Sequence, residues 1–561
     1  MPTHILGRLV GNTGDPTNLS MVLNSSFAGR RGEFVRVRHR EDEGAPQTDV
    51  LARIVSISRS NVLYNSGLGQ AVTELELLPG AHVTGEQILG KLEAIGYRDP
   101  QSGQIKMPRR ALDPGSPVEP VDFQFLSAFY EFQEHSSLHI GNLVGYERGA
   151  SAVPVYLDVN RLVTEHLAIL AMTGSGKSYT VGRIIERLVA INNGTVVVFD
   201  PHGEYGRALA GGELRFNERP DELDDQRDRA ALPAIRDAFT RLREAGAGIT
   251  VYSPQNPSFR QKYAGANQEL ALQFDHFEMD DLSEILPGLT EPQQRVLDVA
   301  IRYWIAHERT TPRDINRLRH YLGDGIDDVR QWDELSQAEA TALNGRSAAV
   351  ASMKLSRVLQ EAQSFYHSGL PAATDVYEMV GRPSDRRGRL VIVDLQGLSD
   401  TAKQVITALI SSEILRAASS KTDRTRPCFL VYEEAHSFAP AGGAAVSHRI
   451  IKKIAGEGRK FGVGFAVVSQ RPSKLDPDVT SQCNTLIAMR LKNPDDQRFI
   501  AKTSDMVSAA DLDQLPGLST GEALICGRSI PAPLLVHVGT KALVHGGESP
   551  EVINLWGRFG G

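Results

Sequence analysis

One segment of this chain, AMTGSGKS at residues 171–178, restricts the fold more than any other. A phosphate-binding loop needs backbone N–H groups that converge on phosphate oxygens, and side chains would obstruct that approach. This chain has glycine at two such positions, Gly174 and Gly176. An apolar run, Leu167–Leu170, precedes the loop, and a helical pattern, Ser178–Asn192, follows it. Strand, glycine-rich loop and helix in that order predict a P-loop α/β fold with a parallel sheet.

The residues of this loop predict ATP and Mg²⁺ as its ligands. Lys177 is expected to reach the β- and γ-phosphates, and Ser178 is expected to place its hydroxyl on Mg²⁺. The full set of predicted nucleotide-binding residues is Thr173, Gly174, Ser175, Gly176, Lys177, Ser178 and Tyr179. The motif usually opens with glycine, and this chain has Ala171 there. Because alanine is the smallest replacement, we expect altered loop flexibility and retained binding.

Two acidic residues stand together after the apolar segment Cys428–Tyr432. In P-loop ATPases the acid that ends such a strand orients the Mg²⁺ shell, and a second polar residue positions the attacking water. Here these residues are Glu433, where aspartate is usual, and Glu434. Acids at a strand end are also common as solvated side chains. The phosphate loop upstream favours the catalytic interpretation, with Glu433 as a metal ligand and Glu434 as the group that polarises water.

Two more strand ends carry polar residues at the edge of the sheet that faces the nucleotide. Asp200 follows the apolar run Thr195–Phe199, and it either orders water or metal at the site or caps its own turn. Gln470 follows the run Gly464–Ser469, where a sensor of the γ-phosphate is expected. Arg471 comes next, and it is predicted to contact a neighbouring subunit or DNA, or to be a solvated loop residue.

Basic residues crowd the segment Ser447–Phe461, which reads SHRIIKKIAGEGRKF. A run of charge is usually a solvated helix face. An arginine can also stabilise the charge of a transferring phosphoryl group from across a subunit boundary. We predict that role for Arg459. A short predicted helix separates it from Glu434 and places it away from the Lys177 of the same subunit.

The first part of the chain, residues 1–158, is predicted to consist of short strands. Segments such as Ile5–Val10, Glu33–Val37, Val50–Ser56 and Thr73–Leu78 are rich in β-branched residues and are separated by turn residues. This pattern predicts a small barrel or sandwich.

A predominantly helical region lies between two stretches of α/β pattern. Residues 216–375 are predicted to be a helical insertion in a core that comprises residues 159–215 and 376–540. The predicted helices of the insertion are Glu222–Ala245, Leu270–Leu286, Glu291–His307, Thr311–Leu322 and Ser347–Glu361. Residues 541–561 hold Trp556 and Phe559 but are too few for a core of their own, so they are predicted to be an arm that docks elsewhere.

Composition excludes several classes of protein. The three cysteines, Cys428, Cys483 and Cys526, are scattered, which argues against a disulfide scaffold or a zinc finger. The N-terminus lacks the features of a signal peptide, and no apolar run reaches the roughly 18 residues that span a bilayer. A cytoplasmic protein without a membrane partner is therefore predicted. The net charge of −7 argues against a basic coat protein but allows a basic channel inside an acidic shell.

Taken together, the segments MTGSGKS, FDPHGEY, EEAH, EGRKFG and VSQRP resemble the HerA family. These proteins are ring-shaped DNA translocases related to FtsK, with a RecA-like motor core. The resemblance covers residues 160–215 and 385–540. It implies an N-terminal β-barrel of the HAS-barrel type, an inserted helical bundle and a C-terminal arm that braces a neighbouring subunit.

The resemblance also implies a function and a set of catalytic residues. The family's catalytic lysine, strand-end aspartate, catalytic glutamate and trans-acting arginine fall on Lys177, Asp200, Glu434 and Arg459. A homohexamer that threads double-stranded DNA while it hydrolyses ATP is implied. Members of the family work with a nuclease, NurA, in DNA end resection, or with sirtuin-like or nuclease effectors in anti-phage defence.

A second function class stays open at this stage. A hexameric ATPase can serve as an assembly platform that scaffolds and activates a partner effector, with DNA movement secondary. A secretion motor of the same superfamily is a third and weaker alternative. Stimulation of the ATPase by duplex DNA would distinguish the first two functions.

Overall fold

The structure is a computed structural model, which describes residues 5–24, 30–44, 46–61, 86–130, 137–147, 151–206, 214–216, 226–245, 248–254, 267–271, 286, 288–308, 314–362, 374–443, 445–504 and 507–544. The chain divides into two compact units. The first comprises Met1–Gln133, Asn142–Val155 and Ile530–Leu535, and the second comprises Glu134–Gly141, Tyr156–Ser529 and Val536–Gly561.

A closed antiparallel barrel forms the N-terminal part of the first unit. Its strands are β1 (Gly7–Val10), β2 (Leu19–Leu23), β3 (Phe34–His39), β4 (Thr48–Asn61), β5 (Glu86–Arg98) and β7 (Pro117–Pro120), with the short β6 (Ile105–Lys106) added beside β5. Their order is β2-β1-β7-β3-β4-β5, and pairing of β2 with β5 closes the ring. Every second residue of β2 is buried in the barrel core, as a half-exposed strand requires. Of the two predicted alternatives, the barrel is confirmed, while Thr73–Leu78 lies outside the described residues.

A larger, mixed sheet holds the phosphate loop. Among the described residues its strands are β8 (Ser137–Leu143), β9 (Pro154–Asp158), β10 (Leu167–Leu170), β11 (Thr195–Asp200), β12 (Ile249–Ser253), β13 (Asn267–Glu269), β14 (Arg389–Asp394), β15 (Cys428–Glu433), β16 (Val463–Ser469), β17 (Thr485–Ala488), β18 (Glu522–Gly527) and β19 (Leu534–Val538). Their order is β13-β12-β14-β11-β15-β16-β10-β17-β18-β19-β8-β9. From β13 to β17 all neighbouring strands run parallel, which confirms the predicted parallel α/β sheet.

The central strands of this sheet are buried along their whole length. Every residue of β10, β11, β15 and β16 is buried, as expected for parallel strands covered by helices on both faces. Because these four strands are parallel neighbours, their carboxyl ends meet at one edge. The phosphate loop, Asp200, the two glutamates and Gln470 all follow those ends.

The described helices have the following bounds: Phe123–Phe129, Val159–Thr164, Lys177–Ala190, Gln226–Glu244, Glu291–His307, Ile315–Tyr321, Ile326–Arg330, Gln337–Ala342, Gly345–Ala362, Val376–Val380, Asp400–Ser419, His448–Glu457, Pro477–Ser481, Pro494–Thr503 and Ala509–Leu512. Short 3-10 turns span Ala435–Ser437, Gly458–Phe461, Pro472–Lys474 and Leu515–Gly517. Among these residues, no helix combines the length and the apolar character needed to cross a membrane.

The region predicted to be helical contains two strands as well. Strand β12 lies beside β14 and β13 lies beside β12, so both extend the parallel sheet. All five residues of β12, ITVYS, are buried. A run this short has no helical or alternating periodicity, so only the neighbouring strand reveals its structure. The predicted helix Leu270–Leu286 lies almost wholly outside the described residues.

The helices that follow keep their predicted positions. Helix Glu291–His307 has its predicted bounds, and the Thr290 N–H donates to Gln293 Oε1 at 3.1 Å in a capping box. The next helix begins at Ile315 and not at Thr311, because Asp314 caps it. Helix Gly345–Ala362 packs against Glu291–His307.

Candidate active site

The phosphate loop has the backbone that its glycines allow. Gly174 and Gly176 have φ angles of 76° and 99°, in the left-handed region that side chains other than glycine rarely adopt. Gly176 is also the N-cap of helix Lys177–Ala190, with no side chain capping the helix. The uncapped N–H groups at this helix N-terminus suit a phosphate anion. Thr173 and Gly174 are exposed, so the loop is open to a ligand.

Ala171 is compatible with the loop because its backbone does not require glycine. Among the described residues, the only ones other than glycine with positive φ are His166, Asn193 and Glu434. The side chain of Ala171 is fully buried, and its N–H donates to the carbonyl of Ser469 at 3.1 Å. Alanine in place of glycine at position 171 is therefore compatible with the pairing of β10 with β16.

Lys177 lies between the two glutamates that follow β15. Its Nζ is 2.7 Å from Glu433 Oε1 and 2.8 Å from Glu434 Oε1, and its side chain is 5% exposed. The strand order places β15 two positions from β10, so the loop after one strand reaches the acids after the other. Residues that are more than 250 positions apart in the chain therefore form one charged cluster.

The two glutamates differ in their tendency to ionise. Burial raises the pKa of Glu433 to about 7; Glu434 adds to the rise and Lys177 opposes it. Burial acts on Glu434 as well, but Lys177 outweighs it and lowers the pKa of that carboxyl. Two adjacent carboxylates do not ionise with equal ease. Of the two carboxyl groups, Glu434 is therefore the one that ionises more readily.

Glu434 adopts a backbone conformation that is rare for its residue type. Its φ of 53° and ψ of 45° are left-handed, and such strain persists where the surrounding structure imposes it, often at functional sites. Gln470 Nε2 donates to Glu434 Oε1 at 2.7 Å. The hydroxyl of Thr173 donates to Gln470 Oε1, which links Gln470 to the phosphate loop. The structure thus brings together Thr173, Lys177, Glu434 and Gln470.

A Mg²⁺ ion fits the residues predicted to hold it. Ser178 is the second residue of the loop helix, directly after Lys177, and Glu433 ends β15 with its carboxylate 2.7 Å from that lysine. No cluster of three or more His, Cys, Asp or Glu side chains suited to a metal exists among the described residues. Mg²⁺ at nucleotide sites is bound by one or two protein groups together with phosphates and water, so such a cluster is not required.

Asp200 caps its own turn, which is the simpler of the two predicted roles. Its Oδ1 accepts hydrogen bonds from the N–H groups of residues 202, 203 and 204, and its Oδ2 accepts from Tyr205 N at 2.9 Å. Burial raises the pKa of Asp200 to about 6, and Asp394 on the adjacent strand adds to the rise. With both oxygens bound to backbone, Asp200 shapes the turn that carries Tyr205.

Sequence reasoning assigned no role to two residues that contact the acids. The Tyr205 hydroxyl donates to Glu433 Oε2 at 3.1 Å. His436 Nδ1 lies 3.3 Å from Glu434 Oε2 and 3.2 Å from the Ser469 hydroxyl. Tyr205 stands in the segment FDPHGEY and His436 in the segment EEAH. Membership of these two segments was the signal in the sequence that could have identified both residues.

A surface cavity gives water access to Glu434. It has a volume of about 340 Å³, and its lining includes His202, Glu434, His436, Gln470 and Arg471. Arg471 is exposed at its rim. The acid that is predicted to polarise water therefore borders a cavity that water can enter.

Two predicted site residues lie away from this cluster. Arg459 sits in the turn before β16, 62% exposed, with its Nη2 3.4 Å from Glu165 Oε1. Gln470 follows the other end of β16, whose seven residues span about 20 Å, so Arg459 is at the opposite edge of the sheet. Tyr179 lies in the first turn of the loop helix, and its hydroxyl accepts a hydrogen bond from Lys541 N at 2.8 Å.

Comparison with known proteins finds helicases that are similar to this chain. The family model described as "Helicase HerA, central domain" matches residues 138–414. A probable helicase of Methanocaldococcus jannaschii is 29% identical over 560 residues, which cover 98% of this chain and 94% of the relative. The DNA double-strand break repair helicase HerA of Pyrococcus furiosus is 29% identical over 575 residues, covering 97% of this chain and 95% of the relative.

Among solved structures, the bacterial conjugative coupling protein TrwB matches 76% of this chain and 93% of its own at 12% identity, with a TM-score of 0.49. The similarity to the two helicases extends over nearly the whole of each chain, and the family model includes the phosphate loop and its helix. This chain is thus an ATP-hydrolysing enzyme of the helicase type, similar over nearly its whole length to HerA helicases.

Proposed function

We propose that this protein is a cytoplasmic, ATP-driven translocase or helicase that moves along double-stranded DNA as a homohexamer. The observation that carries the proposal is the contact of Lys177 with Glu433 and Glu434 at the carboxyl edge of a P-loop sheet. Similarity to a DNA double-strand break repair helicase supports DNA as the partner. The chain would act in DNA end processing with a NurA-like nuclease, or in anti-phage defence with a sirtuin-like or nuclease effector.

Each residue of the site has a proposed part in hydrolysis. Lys177 binds the β- and γ-phosphates of ATP, while Glu434 polarises the attacking water. Gln470, held between Thr173 and Glu434, senses the γ-phosphate. Mg²⁺, when bound by Ser178 and Glu433, neutralises charge on the phosphates. Glu434 needs only to turn from Lys177 toward the cavity beside it to meet water.

The position of Arg459 supports a hexamer. An active site that lacks a cation for the developing γ-phosphate charge can receive one from a neighbouring chain. Arg459 is exposed about 20 Å from its own site, on the opposite edge of the sheet. A ring in which this edge meets the next subunit's phosphate loop would bring Arg459 to that nucleotide.

The first prediction is that duplex DNA stimulates ATP hydrolysis by the isolated protein. A translocase hydrolyses ATP as it steps, so the rate should rise severalfold with duplex DNA and rise less with single strands of equal length. The stimulation should decrease as salt is raised, because phosphate contacts release counterions. The measurement is phosphate release at several salt concentrations, with Lys177→Ala as the blank.

Movement itself needs a separate readout. On a duplex that carries a third strand, a translocase displaces that strand only with hydrolysable ATP. An ATPase with neither DNA stimulation nor strand displacement at low salt would contradict the proposal and favour the assembly platform.

A second prediction concerns the C-terminal arm, which we propose to brace a neighbouring subunit. We propose a division into an N-terminal domain that contains the barrel (1–158), a core (159–215 and 376–540), an insertion (216–375) and an arm (541–561). Residues 545–561, with Trp556 and Phe559, lie outside the described residues, whereas Lys541–Val544 are described. Removal of residues 545–561 should weaken the hexamer in sedimentation velocity experiments. The same sedimentation coefficient at the same concentration would refute an assembly role for the arm.

A further inference from the structure

The side of the helix that follows the phosphate loop is built to receive a short C-terminal segment, Thr540–Val544, which we call the clasp. The helix residues concerned are spaced by three or four positions and so share one face: Tyr179, Gly182, Arg183, Glu186 and Arg187. Lys541 and Glu186 are 5% and 2% exposed. Burial lowers the pKa of Lys541 although Glu186 beside it opposes the shift.

Consecutive backbone N–H groups of the clasp donate to side chains. Lys541 N donates to the Tyr179 hydroxyl at 2.8 Å, and Ala542 N and Leu543 N each donate to an oxygen of Glu186 at 2.7 Å. Hydrogen bonds to a carboxylate are stronger than neutral ones. This helix therefore recognises the clasp through its backbone, as a binding site recognises an extended peptide.

A buried ion pair continues the same contact at the start of the clasp. Thr540 N donates to Asp228 Oδ2 at 2.7 Å. Arg183 donates to both oxygens of Asp228 at 2.8 and 3.0 Å, and Arg187 donates to it at 2.6 Å. Asp228 belongs to helix Gln226–Glu244, so one carboxylate joins the loop helix, the next helix and the clasp.

Two glycines allow the close approach of these elements. A Cβ on Gly182 would lie 2.7 Å from Cε and Nζ of Lys541. A Cβ on Gly539 would lie 2.4 Å from Asp228 Oδ2 and 2.6 Å from Arg183 Nη2. Real Cβ atoms do not approach other atoms this closely, so a larger residue at Gly539 would force the Asp228–Arg183 pair or the backbone beside it to shift.

We propose that the clasp positions the phosphate loop, with Tyr179 and Glu186 as positioning residues for ATP binding. The helix begins at Lys177 without a side-chain cap, so its position must be fixed by the packing of its sides. Tyr179 stands two residues after Lys177, and its hydroxyl holds the clasp. The inference rests on the proposed ATP binding by Lys177 and is independent of DNA and of the hexamer.

This arrangement links the C-terminal arm to the nucleotide. Residues 545–561, the remainder of the proposed arm, follow Val544 directly in the sequence, so the clasp joins them to this helix. If ordering of the clasp favours ATP binding, ATP binding favours ordering of the clasp by the same factor. The clasp thus couples nucleotide occupancy to whatever the arm contacts.

The test uses two point variants of the full chain and a matched control. Tyr179→Phe removes one acceptor, and Glu186→Gln places an amide against the N–H groups of Ala542 and Leu543. We expect ATP affinity to fall by about fivefold in the first, the worth of one hydrogen bond, and by more in the second. Tyr377→Phe loses a comparable hydroxyl, which donates to Asp423 O at 2.8 Å elsewhere, and should leave ATP affinity unchanged.

Affinity is measured with a fluorescent ATP analogue well below the melting temperature of each variant. A purely structural clasp would lower the melting temperature and leave the affinity of the folded protein unaltered, and that result would overturn the inference. If the unsubstituted protein itself fails to bind the analogue, the proposed nucleotide site fails instead.

Hydrogen exchange tests the same linkage when a variant does not fold. In the Glu434→Gln protein, which should hold ATP without hydrolysing it, amides of Lys541, Ala542 and Leu543 should exchange more slowly with ATP than without. Equal exchange rates at saturating ATP would contradict the coupling. Amides of the barrel strand β3 serve as the internal control.

Discussion

Glu434→Gln is expected to bind ATP with nearly unchanged affinity and to hydrolyse it about 10²–10⁴-fold more slowly. The glutamine keeps an oxygen that can accept from Lys177 and Gln470, so the geometry of the cluster is retained. It loses the negative charge that polarises water. Single-turnover hydrolysis and binding of a fluorescent nucleotide measure the two effects separately.

Two comparisons make this result specific. Lys177→Ala should lose nucleotide binding itself, because the phosphates lose their main point charge. Glu413→Gln is the matched control, since this glutamate pairs with Arg416 on a helix and has no contact with the cluster among the described residues. Near-normal turnover by Glu434→Gln would refute the assignment of Glu434 as the group that activates water.

Arg459→Ala is expected to reduce turnover by about 10³–10⁵-fold, the range known for arginines that act across subunit boundaries. ATP affinity and the size of the proposed hexamer should stay nearly unchanged, because the Arg459 side chain is exposed and forms its ion pair with Glu165, away from the phosphate loop. Lys460→Ala, at the adjacent exposed position, is the control and should retain activity. Steady-state ATPase, nucleotide affinity and sedimentation are measured together.

Mixing decides whether the arginine acts in trans. Hexamers of Lys177→Ala or of Arg459→Ala alone should be almost inactive. A one-to-one mixture should recover part of the activity, because some interfaces pair an intact Lys177 with an intact Arg459 of the next subunit. Mixtures that exchange subunits yet recover nothing would show that Arg459 acts in cis or is structural.

The sequence by itself determined the parallel core and the order of its chemical groups. A glycine-rich loop between a strand and a helix constrains the backbone strongly, and the apolar runs before Asp200 and Glu433 identify two further buried strands. Because the carboxyl ends of parallel strands share an edge, the proximity of Lys177, Glu434 and Gln470 followed from the strands alone. The barrel was predicted only as one of two alternatives, since short alternating strands fit a sandwich equally well.

Only the tertiary structure decided what each polar group contacts. Asp200 follows its strand as a catalytic acid would, but the turn after it directs backbone N–H groups onto both of its oxygens. Tyr179 follows Lys177 as a nucleotide-binding residue would, but its position on the helix directs its hydroxyl to Lys541. Lys541 is 362 positions from Tyr179 in the sequence, so no local pattern pairs them. The partners of Asp200 are local, but a local pattern shows only that Asp200 precedes a turn and not which N–H groups its oxygens accept from. The buried strand β12 was not predicted, because its identity as a strand depends on pairing with β14, which is distant in the sequence.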